Sequence, residues 1–315
     1  MFQVLTIGSS LIDVFISSDE FKLHPVKEGV LLCQPFGDKI EVDSFDLATG
    51  GGGGNTAVGF ARLGFKTGVI SELGKDVLAD FIIKDFQKEY VMTNYLISER
   101  KEETGGSVML VGSTGDRTVM VHRGAASMLD PEDLPEDQIK LAGWIHLSSI
   151  SGRQGTLEHI FKILSQVSGG RKLSWNPGKK ELFLLNQNQL LIDQLPVEIL
   201  IVNKSEWQMV ETLASTLRTH IPMIVVTDGQ KGGHVFIRRG REFDFSSSGE
   251  RAKETTGAGD SFSVGLVAGY IWGLEPKQAI LLGTINAGSV VNQVGAKRGL
   301  LTKSAILSRA GISLP

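Results

Sequence analysis

A short segment in the last third of the chain combines small residues with an acid in a pattern that suits phosphoryl transfer. Residues 254–262 read Glu-Thr-Thr-Gly-Ala-Gly-Asp-Ser-Phe and lead directly into an apolar, helix-like stretch. Glycines permit a tight turn and close approach to a ligand, and the N–H groups at a helix N-terminus bind anions. Asp260 lies beside that anion site, where it is placed to take a proton from an attacking hydroxyl. These are the minimum components for moving a phosphoryl group onto an alcohol.

The same tetrapeptide also fits a simpler structure, a loop in which Asp260 caps a helix. The residues that follow favour the functional interpretation. Gly265 and Gly269 are four residues apart and therefore share one helix face. Each glycine inside a helix costs about 1 kcal/mol relative to alanine, so the pair predicts that the helix backbone approaches something closely.

A run of five glycines, Gly50 to Gly54, precedes Asn55-Thr56-Ala57 and a helical pattern that ends at Gly64. Because glycine weakens the interior of a helix or strand, we predict a loop over the run and a helix that begins at Asn55. A flexible linker is the alternative. Linkers rarely continue straight into an apolar helix, so the run favours a ligand-binding loop.

These segments are embedded in alternating strand and helix patterns. The pattern predicts βαβ units, and hence an α/β fold with a doubly wound, mostly parallel sheet flanked by helices. We expect one domain over residues 1–315. Two stretches, about 12–44 and 105–123, fit this alternation poorly and predict short antiparallel strands with turns, among them a turn over residues 112–116. Insertions of this kind lie over the ligand crevice at the carboxyl ends of the parallel strands.

Composition excludes several classes of function. A net charge of −3 gives no electrostatic footprint for nucleic acid or an anionic membrane surface. Cys33 is the single cysteine, which rules out an intrachain disulfide and favours a cytoplasmic protein. We find neither a signal-peptide pattern nor an apolar run long enough for a membrane span. P-loop, zinc-ligand and nucleophile-elbow patterns are absent from the sequence.

The two glycine segments resemble the signatures of the ribokinase/PfkB carbohydrate-kinase family, Gly-Gly-x-x-x-Asn-x-Ala and Asp-Thr-x-Gly-Ala-Gly-Asp, with Glu254 in place of the first Asp. The resemblance implies an ATP-dependent kinase with a small β-sheet lid. Asp260 would be the general base, and the 257–260 backbone, including Gly257, Ala258 and Gly259, would form the anion hole. Mg²⁺ would accompany the nucleotide, and many relatives also use a monovalent cation such as K⁺.

The resemblance also assigns single residues that follow predicted strands. It implies that the acceptor is bound by Asp13, Gly51 and Asn55, and also by Arg123 at the end of the lid strand. It also implies that six residues bind the nucleotide end: Asn203, Glu206, Thr227, Gly229, Gly232 and Asn292. Of these, Glu206 would act on magnesium through water. Four of these residues also have a local interpretation: a turn for Asp13, a solvated strand end for Arg123, and a helix cap for Asn203 with Glu206.

The acceptor is left open by the sequence. Apart from Arg117 and Arg123, no cluster of basic residues is evident in the lid stretches, which favours an uncharged sugar or a nucleoside over a sugar phosphate. A catalytically silent sugar sensor or scaffold is a further alternative, although such a protein has no need of Asp260. A hydrolase that activates water is disfavoured by a lid that excludes water. Family analogy also implies a homodimer through the lid.

Overall fold

The computed structural model describes residues 1–27, 29–99, 101–112, 117–167, 172–250 and 252–314. Its strands are β1 (Val4–Ile7), β2 (Leu11–Ser17), β3 (Lys22–Val26), β4 (Gly29–Cys33), β5 (Ser44–Gly50), β6 (Thr67–Leu73), β7 (Leu96–Ser98), β8 (Gly106–Val111), β9 (Arg117–His122), β10 (Trp144–Ser148), β11 (Leu173–Asn176), β12 (Val197–Asn203), β13 (Met223–Thr227), β14 (Gly233–Ile237) and β15 (Arg241–Phe245). Its α-helices are α1 (Gly52–Arg62), α2 (Val77–Lys88), α3 (Glu136–Leu141), α4 (Gln154–Ser165), α5 (Lys179–Asn186), α6 (Lys204–Met209), α7 (Ala214–His220), α8 (Ala258–Ile271), α9 (Pro276–Val291) and α10 (Lys303–Ala310).

Nine of the described strands form the main sheet in the order β15-β14-β13-β12-β11-β10-β1-β6-β7. The pairs from β7 to β13 are parallel, and the β13-β14-β15 edge is antiparallel. The prediction of a doubly wound, mostly parallel sheet flanked by helices is confirmed. The antiparallel edge pair was not among the predicted strands.

The central strand β1 marks the point where the chain reverses its direction across the sheet. Val4 pairs with Thr67 of β6 on one side and with Trp144 of β10 on the other. The chain therefore fills one half of the sheet first and the other half afterwards. Crevices at such a switch point, at the carboxyl ends of the strands, are where open α/β sheets bind ligands.

Alternating side chains of β1 enter two different cores. Leu5 and Ile7 pack with residues of α4 and α5 on one face, while Val4 packs with residues of α1, α8 and α9 on the other. A strand buried on both faces explains why all four β1 residues are inaccessible. Within the described residues, no helix has the length and apolar character needed to cross a bilayer.

A separate small sheet, with the order β5-β2-β8-β9, confirms the predicted small sheet, and a β3-β4 ribbon accompanies it. The expectation that its strands are antiparallel is wrong for one pair, because β2 and β8 run parallel. These two strands are joined through β6, α2 and β7, so no hairpin forces them to be antiparallel. The turn predicted over residues 112–116 falls largely on 113–116, which lie outside the described residues.

The glycine run is not the loop that we predicted. Gly52, Gly53 and Gly54 form the first turn of α1, so the helix begins three residues before Asn55. The reason is close packing: a Cβ on Gly53 would lie 2.6 Å from the backbone carbon of Gly8. Burial of this first turn against the end of β1 outweighs the low helix propensity of glycine.

The close helix contact predicted for α8 is present. A Cβ on Gly265 would lie 2.5 Å from the Leu282 carbonyl oxygen, and one on Gly269 would lie 2.8 Å from the Ala279 Cα. The two glycines thus let α8 press directly on α9. This contact fixes the N-terminus of α8 relative to the sheet.

Candidate active site

The N-terminus of α8 depends on a glycine at its N-cap. Gly257 is the N-cap residue with φ of 76°, and a Cβ at this position would lie 2.4 Å from the Ala296 Cβ. Both conformation and packing therefore require glycine. The Ala258 N–H already donates to the Thr255 carbonyl at 3.3 Å. The N–H groups of Gly257 and Gly259 find no protein acceptor among the described residues.

Asp260 lies in the first turn of α8 and is held by Asn55 of α1. The Asn55 Nδ2 donates to the Asp260 Oδ2 at 2.7 Å, across 205 residues of sequence. Asn55 is 4 % exposed, and its Oδ1 is buried without a donor among the described residues. Burial raises the pKa of Asp260, and the Asn55 hydrogen bond opposes that rise. The arrangement fixes one carboxylate oxygen and leaves the other, Oδ1, for chemistry.

Asn55 therefore has a role that the sequence did not reveal. The resemblance implies that Asn55 contacts acceptor hydroxyls, and the structure adds a hydrogen bond from its amide to the Asp260 carboxylate. Gly51 is the N-cap of the same helix, with φ of 89°, and its carbonyl accepts from the Asn55 N–H at 2.8 Å. The glycine segment and the Gly-Ala-Gly-Asp segment thus meet at one place.

Asp13 of β2 lies on the small sheet and is 4 % exposed. The Ser107 Oγ donates to its Oδ1, and a Cβ on Gly50 would occupy nearly the same place as its Oδ2. Burial raises the pKa of Asp13 to about 6. The Ser107 hydrogen bond and the charge of Lys297 lower it, while Glu254 and Asp260 raise it. The charges of Glu254 and Asp260 therefore act on Asp13.

Lys297 is a buried cation that sequence analysis missed. Its Nζ donates to the Thr49 Oγ1 at 2.6 Å and to the Asp85 Oδ2 at 2.9 Å, and it lies 5.1 Å from the Phe86 ring centre. Burial lowers the pKa of Lys297, and the adjacent Asp85 opposes that effect. The network links α2, the end of β5 and the loop after α9. It holds Thr49, next to the Gly50 that packs against Asp13.

A cavity of about 190 Å³ opens beside the N-terminus of α8. Ala258 and Gly259 line one end of it, and a Cβ on Gly259 would meet no atom within 4 Å. The predicted nucleotide residues Thr227, Gly229 and Gly232 line the other end. The structure therefore brings two distant sequence segments to one cavity that adjoins Asp260.

Three other predicted residues lie outside this lining. Asn203 and Glu206 cap helix α6 reciprocally, with the Asn203 N–H donating to the Glu206 Oε2 at 2.8 Å and the Glu206 N–H donating to the Asn203 Oδ1 at 2.9 Å. Burial raises the pKa of Glu206. Asn292 donates to the Glu250 Oε2 at 3.0 Å, and Glu250 lines the cavity.

Arg123 is exposed at the end of β9 and makes no ion pair with any described residue. The described ranges also contain no group of three or more His, Cys, Asp or Glu side chains placed to hold a metal ion. The protein therefore offers no all-protein metal cage in these ranges.

The chain is similar to known kinases in sequence and in fold. A profile described as pfkB family carbohydrate kinase matches residues 1–303. The 2-dehydro-3-deoxygluconokinase of Bacillus subtilis (strain 168) is 26 % identical over 87 % of this chain and 90 % of its own length. The ribokinase of Staphylococcus aureus (strain COL) is 25 % identical over 94 % of both chains. The structure of Arabidopsis thaliana ribokinase complexed with ribose and ATP superposes with a TM-score of 0.77 at 19 % identity, covering 99 % of each chain.

Proposed function

Because the chain belongs to the pfkB family of carbohydrate kinases, we propose that it transfers the γ-phosphoryl group of Mg·ATP to a hydroxyl of a small sugar-like acceptor. The observation that carries this proposal is the Asn55–Asp260 pair at 2.7 Å, placed directly beside unpaired N–H groups at a helix start. A base and an anion site at this spacing serve both ends of the transfer.

Asp260 is the proposed general base. Its Oδ1 takes the proton of the acceptor hydroxyl as that oxygen forms a bond to the γ-phosphorus and the bond to the leaving phosphate oxygen breaks. Because Asn55 holds Oδ2, the carboxylate cannot rotate away from the acceptor. The raised pKa of Asp260, caused mainly by burial, makes it a stronger base than an exposed aspartate.

The N–H groups of Gly257 and Gly259 are the proposed anion hole. They point from the positive end of α8 toward the transferred group, where negative charge accumulates. Ala258, whose N–H is shared with the Thr255 carbonyl, completes the backbone cradle. Mg²⁺, when bound, neutralises phosphate charge. Asn203 and Glu206, fixed by their mutual cap, are proposed to support it indirectly through water.

For the nucleotide, we propose that Thr227, Gly229 and Gly232 line its binding cavity, with Asn292 acting on it through Glu250. The cavity is continuous with the anion hole at Ala258 and Gly259. Substitution of Glu206 by Gln separates its two roles, because glutamine retains much of the cap. A higher Mg²⁺ requirement with unchanged thermal stability would support the magnesium role.

For the acceptor, we propose contacts with Asp13, Gly51, the Asn55 Oδ1 and Arg123. Among the described residues, β9 and the residue after it contain one arginine without an ion-pair partner, Arg123. Because this leaves a single unpaired arginine charge there, an uncharged sugar is the first candidate. A nucleoside is the second candidate. Met109, Val119 and Val121 alternate along the small-sheet face that carries Asp13, and this apolar face suits a base.

The test is ADP release from Mg·ATP across a panel of uncharged sugars, sugar acids, sugar phosphates and nucleosides. One acceptor with a high kcat/KM supports the kinase and names its substrate. ATP turnover that is equal with and without every acceptor favours a hydrolase. Binding of a sugar by calorimetry without turnover favours a sensor.

A homodimer through the lid is also proposed. The face of the small sheet opposite Asp13 carries Phe45, Leu47 and Met120, which are 66 %, 40 % and 51 % exposed. An exposed apolar face of this kind marks an interaction surface. Light scattering that gives a monomer at micromolar concentration would contradict it. The cytoplasmic location expected from the single cysteine stays a prediction.

A further inference from the structure

Glu254 is a buried carboxylate at the base of the anion loop, defined here as residues 255–259. It is 5 % exposed. Its Oε1 accepts from the Thr256 N–H and its Oε2 from the Gly295 N–H at 3.3 Å. The Glu254 side chain thus joins two segments by hydrogen bonds. One partner is Thr256, immediately before Gly257, and the other is Gly295, in the segment after α9. The orientation of the loop depends on where this carboxylate is held.

A carboxylate this well buried needs a counter-charge, because an unpaired buried charge is strongly destabilising. Among the described residues, its ion-pair partner is Arg117, whose Nη1 lies 3.2 Å from the Glu254 Oε1. The Arg117 side chain is itself 23 % exposed. The pair is therefore shielded enough from solvent to be worth more than a surface ion pair.

Arg117 belongs to the small sheet, not to the main one. It is the first residue of β9 and pairs with Val111 of β8, which pairs in turn with Ser17 of β2. Side chains alternate between the faces of a sheet. Arg117 therefore lies on the same face as Ser107 and Asp13.

A second contact joins the same face to the same loop. The Thr256 Oγ1 lies 3.6 Å from the Sδ of Met109, which is two residues from Ser107 on β8. The face that carries Asp13 thus contacts the anion loop at Thr256 and the residue directly before the loop at Glu254.

We propose that Arg117 is a positioning residue that couples the small sheet to the anion loop through Glu254. This inference rests on the proposed function, since the coupled loop is the one that receives the phosphoryl group. The position of the small sheet over the acceptor sets Arg117, Arg117 sets the Glu254 carboxylate, and Glu254 sets the Thr256 N–H. The N–H groups of Gly257 and Gly259 are aligned as a result. The guanidinium also supplies the positive charge at Glu254.

The coupling is tested by hydrogen exchange with Mg·AMP-PNP as the probe, without an acceptor. In the wild-type chain, the probe is expected to slow exchange in the anion loop and also, about 10-fold, in peptides covering 106–111 and 117–122. In Arg117→Gln, the loop is expected to remain protected while protection of the small-sheet peptides is lost. Loss of a partner for a buried charge makes an effect of this size reasonable.

Arg298→Gln is the matched control. Arg298 also joins the main body to the small sheet, 3.5 Å from Asp46, but its side chain is 55 % exposed. This variant is expected to behave as wild type. Arg117→Lys keeps the charge without the guanidinium fork and is expected to retain part of the coupling. It also serves as the test variant if Arg117→Gln does not fold.

The outcomes separate the two proposals. No protection of the anion loop in the wild-type chain would contradict the proposed function itself. Protection of the loop without protection of the small sheet in wild type would overturn the coupling alone. Equal small-sheet protection in wild type and Arg117→Gln would overturn it as well. With an acceptor in hand, Arg117→Gln is expected to lower kcat about 10-fold or more, with a smaller change in the KM for ATP.

Discussion

Asp13 is predicted to reduce the stability of the protein at neutral pH, and Asp13→Asn removes that effect. The carboxylate is 4 % exposed, and burial raises its pKa from 3.8 to about 6. At about 1.4 kcal/mol for each pH unit, burial disfavours the ionised form by about 3 kcal/mol. Asparagine keeps the shape and still accepts from the Ser107 Oγ. We therefore expect the variant to be more stable than wild type by up to about 3 kcal/mol at pH 8.

The sign of the pH dependence follows from linkage. The folded pKa of Asp13 lies above its unfolded value, so the folded state holds the proton more tightly. Its contribution to stability is fully present below about pH 3.8, and it is lost as the pH rises through 6. The gain from Asp13→Asn should therefore shrink as the pH falls, to about 1.5 kcal/mol at pH 5.

The assay is urea unfolding of both chains at pH 5 and pH 8. Asp46→Asn is the control, because Asp46 lies on the same sheet but its side chain is 44 % exposed. It should change the free energy of unfolding by less than about 0.5 kcal/mol at either pH. The Asp13 variant should also raise the KM for the acceptor at least about 10-fold, since asparagine offers one acceptor oxygen in place of two. A stability change for Asp13→Asn that is the same at both pH values, or a loss at pH 8, would refute the reasoning.

Three further predictions follow from other contacts. Asn55→Leu should lower kcat by about 10- to 100-fold, because the Asp260 carboxylate loses the amide that orients it. An unchanged kcat in a steady-state ADP assay would contradict the role of Asn55 in orienting Asp260. Activity should be equal in potassium and choline buffers, because the Arg117 guanidinium already supplies positive charge at Glu254, next to the anion loop. A large activation by K⁺ would contradict this prediction and show that a cation site exists as well. Lys297→Met should lower the free energy of unfolding by about 3 kcal/mol, because it leaves the partly buried Asp85 without its cation and breaks a network across three segments. A melting temperature within about 1–2 °C of wild type would show that the network contributes little to stability.

The parts of this account that the sequence predicted correctly are those with local signals. Alternating strand and helix patterns predicted the mostly parallel main sheet. The spacing of Gly265 and Gly269 predicted a close approach of their helix backbone, and in the structure that approach is to α9. Each of these depends on neighbouring residues along the chain.

The missed features depend on contacts between distant segments. Lys297 follows a Gly-Ala pair and looks like a solvated loop residue, yet its partner Thr49 lies 248 residues away. The Asn55 amide reaches Asp260 across 205 residues. The residues that flank Lys297 and Asn55 in the sequence give no indication of these two contacts.

Two errors have a common physical cause, which is that packing outweighed local preference. The glycine run was predicted as a loop because glycine disfavours helices, but the end of β1 leaves no room for a larger side chain at Gly53. The small sheet was predicted as antiparallel, yet β2 and β8 are parallel because the chain crosses the main sheet between them. One weak signal did exist: Glu254 departs from the family signature, and it is the residue that Arg117 binds.

The most direct test of the central claim is the kcat of Asp260→Asn with the acceptor that the panel identifies. Asparagine keeps the contact with Asn55 and the shape of the site but cannot take the proton. We expect a fall in kcat of about 10²- to 10⁴-fold, with little change in the KM for ATP. Turnover equal to wild type would contradict the assignment of Asp260 as the base and, with it, the proposed mechanism.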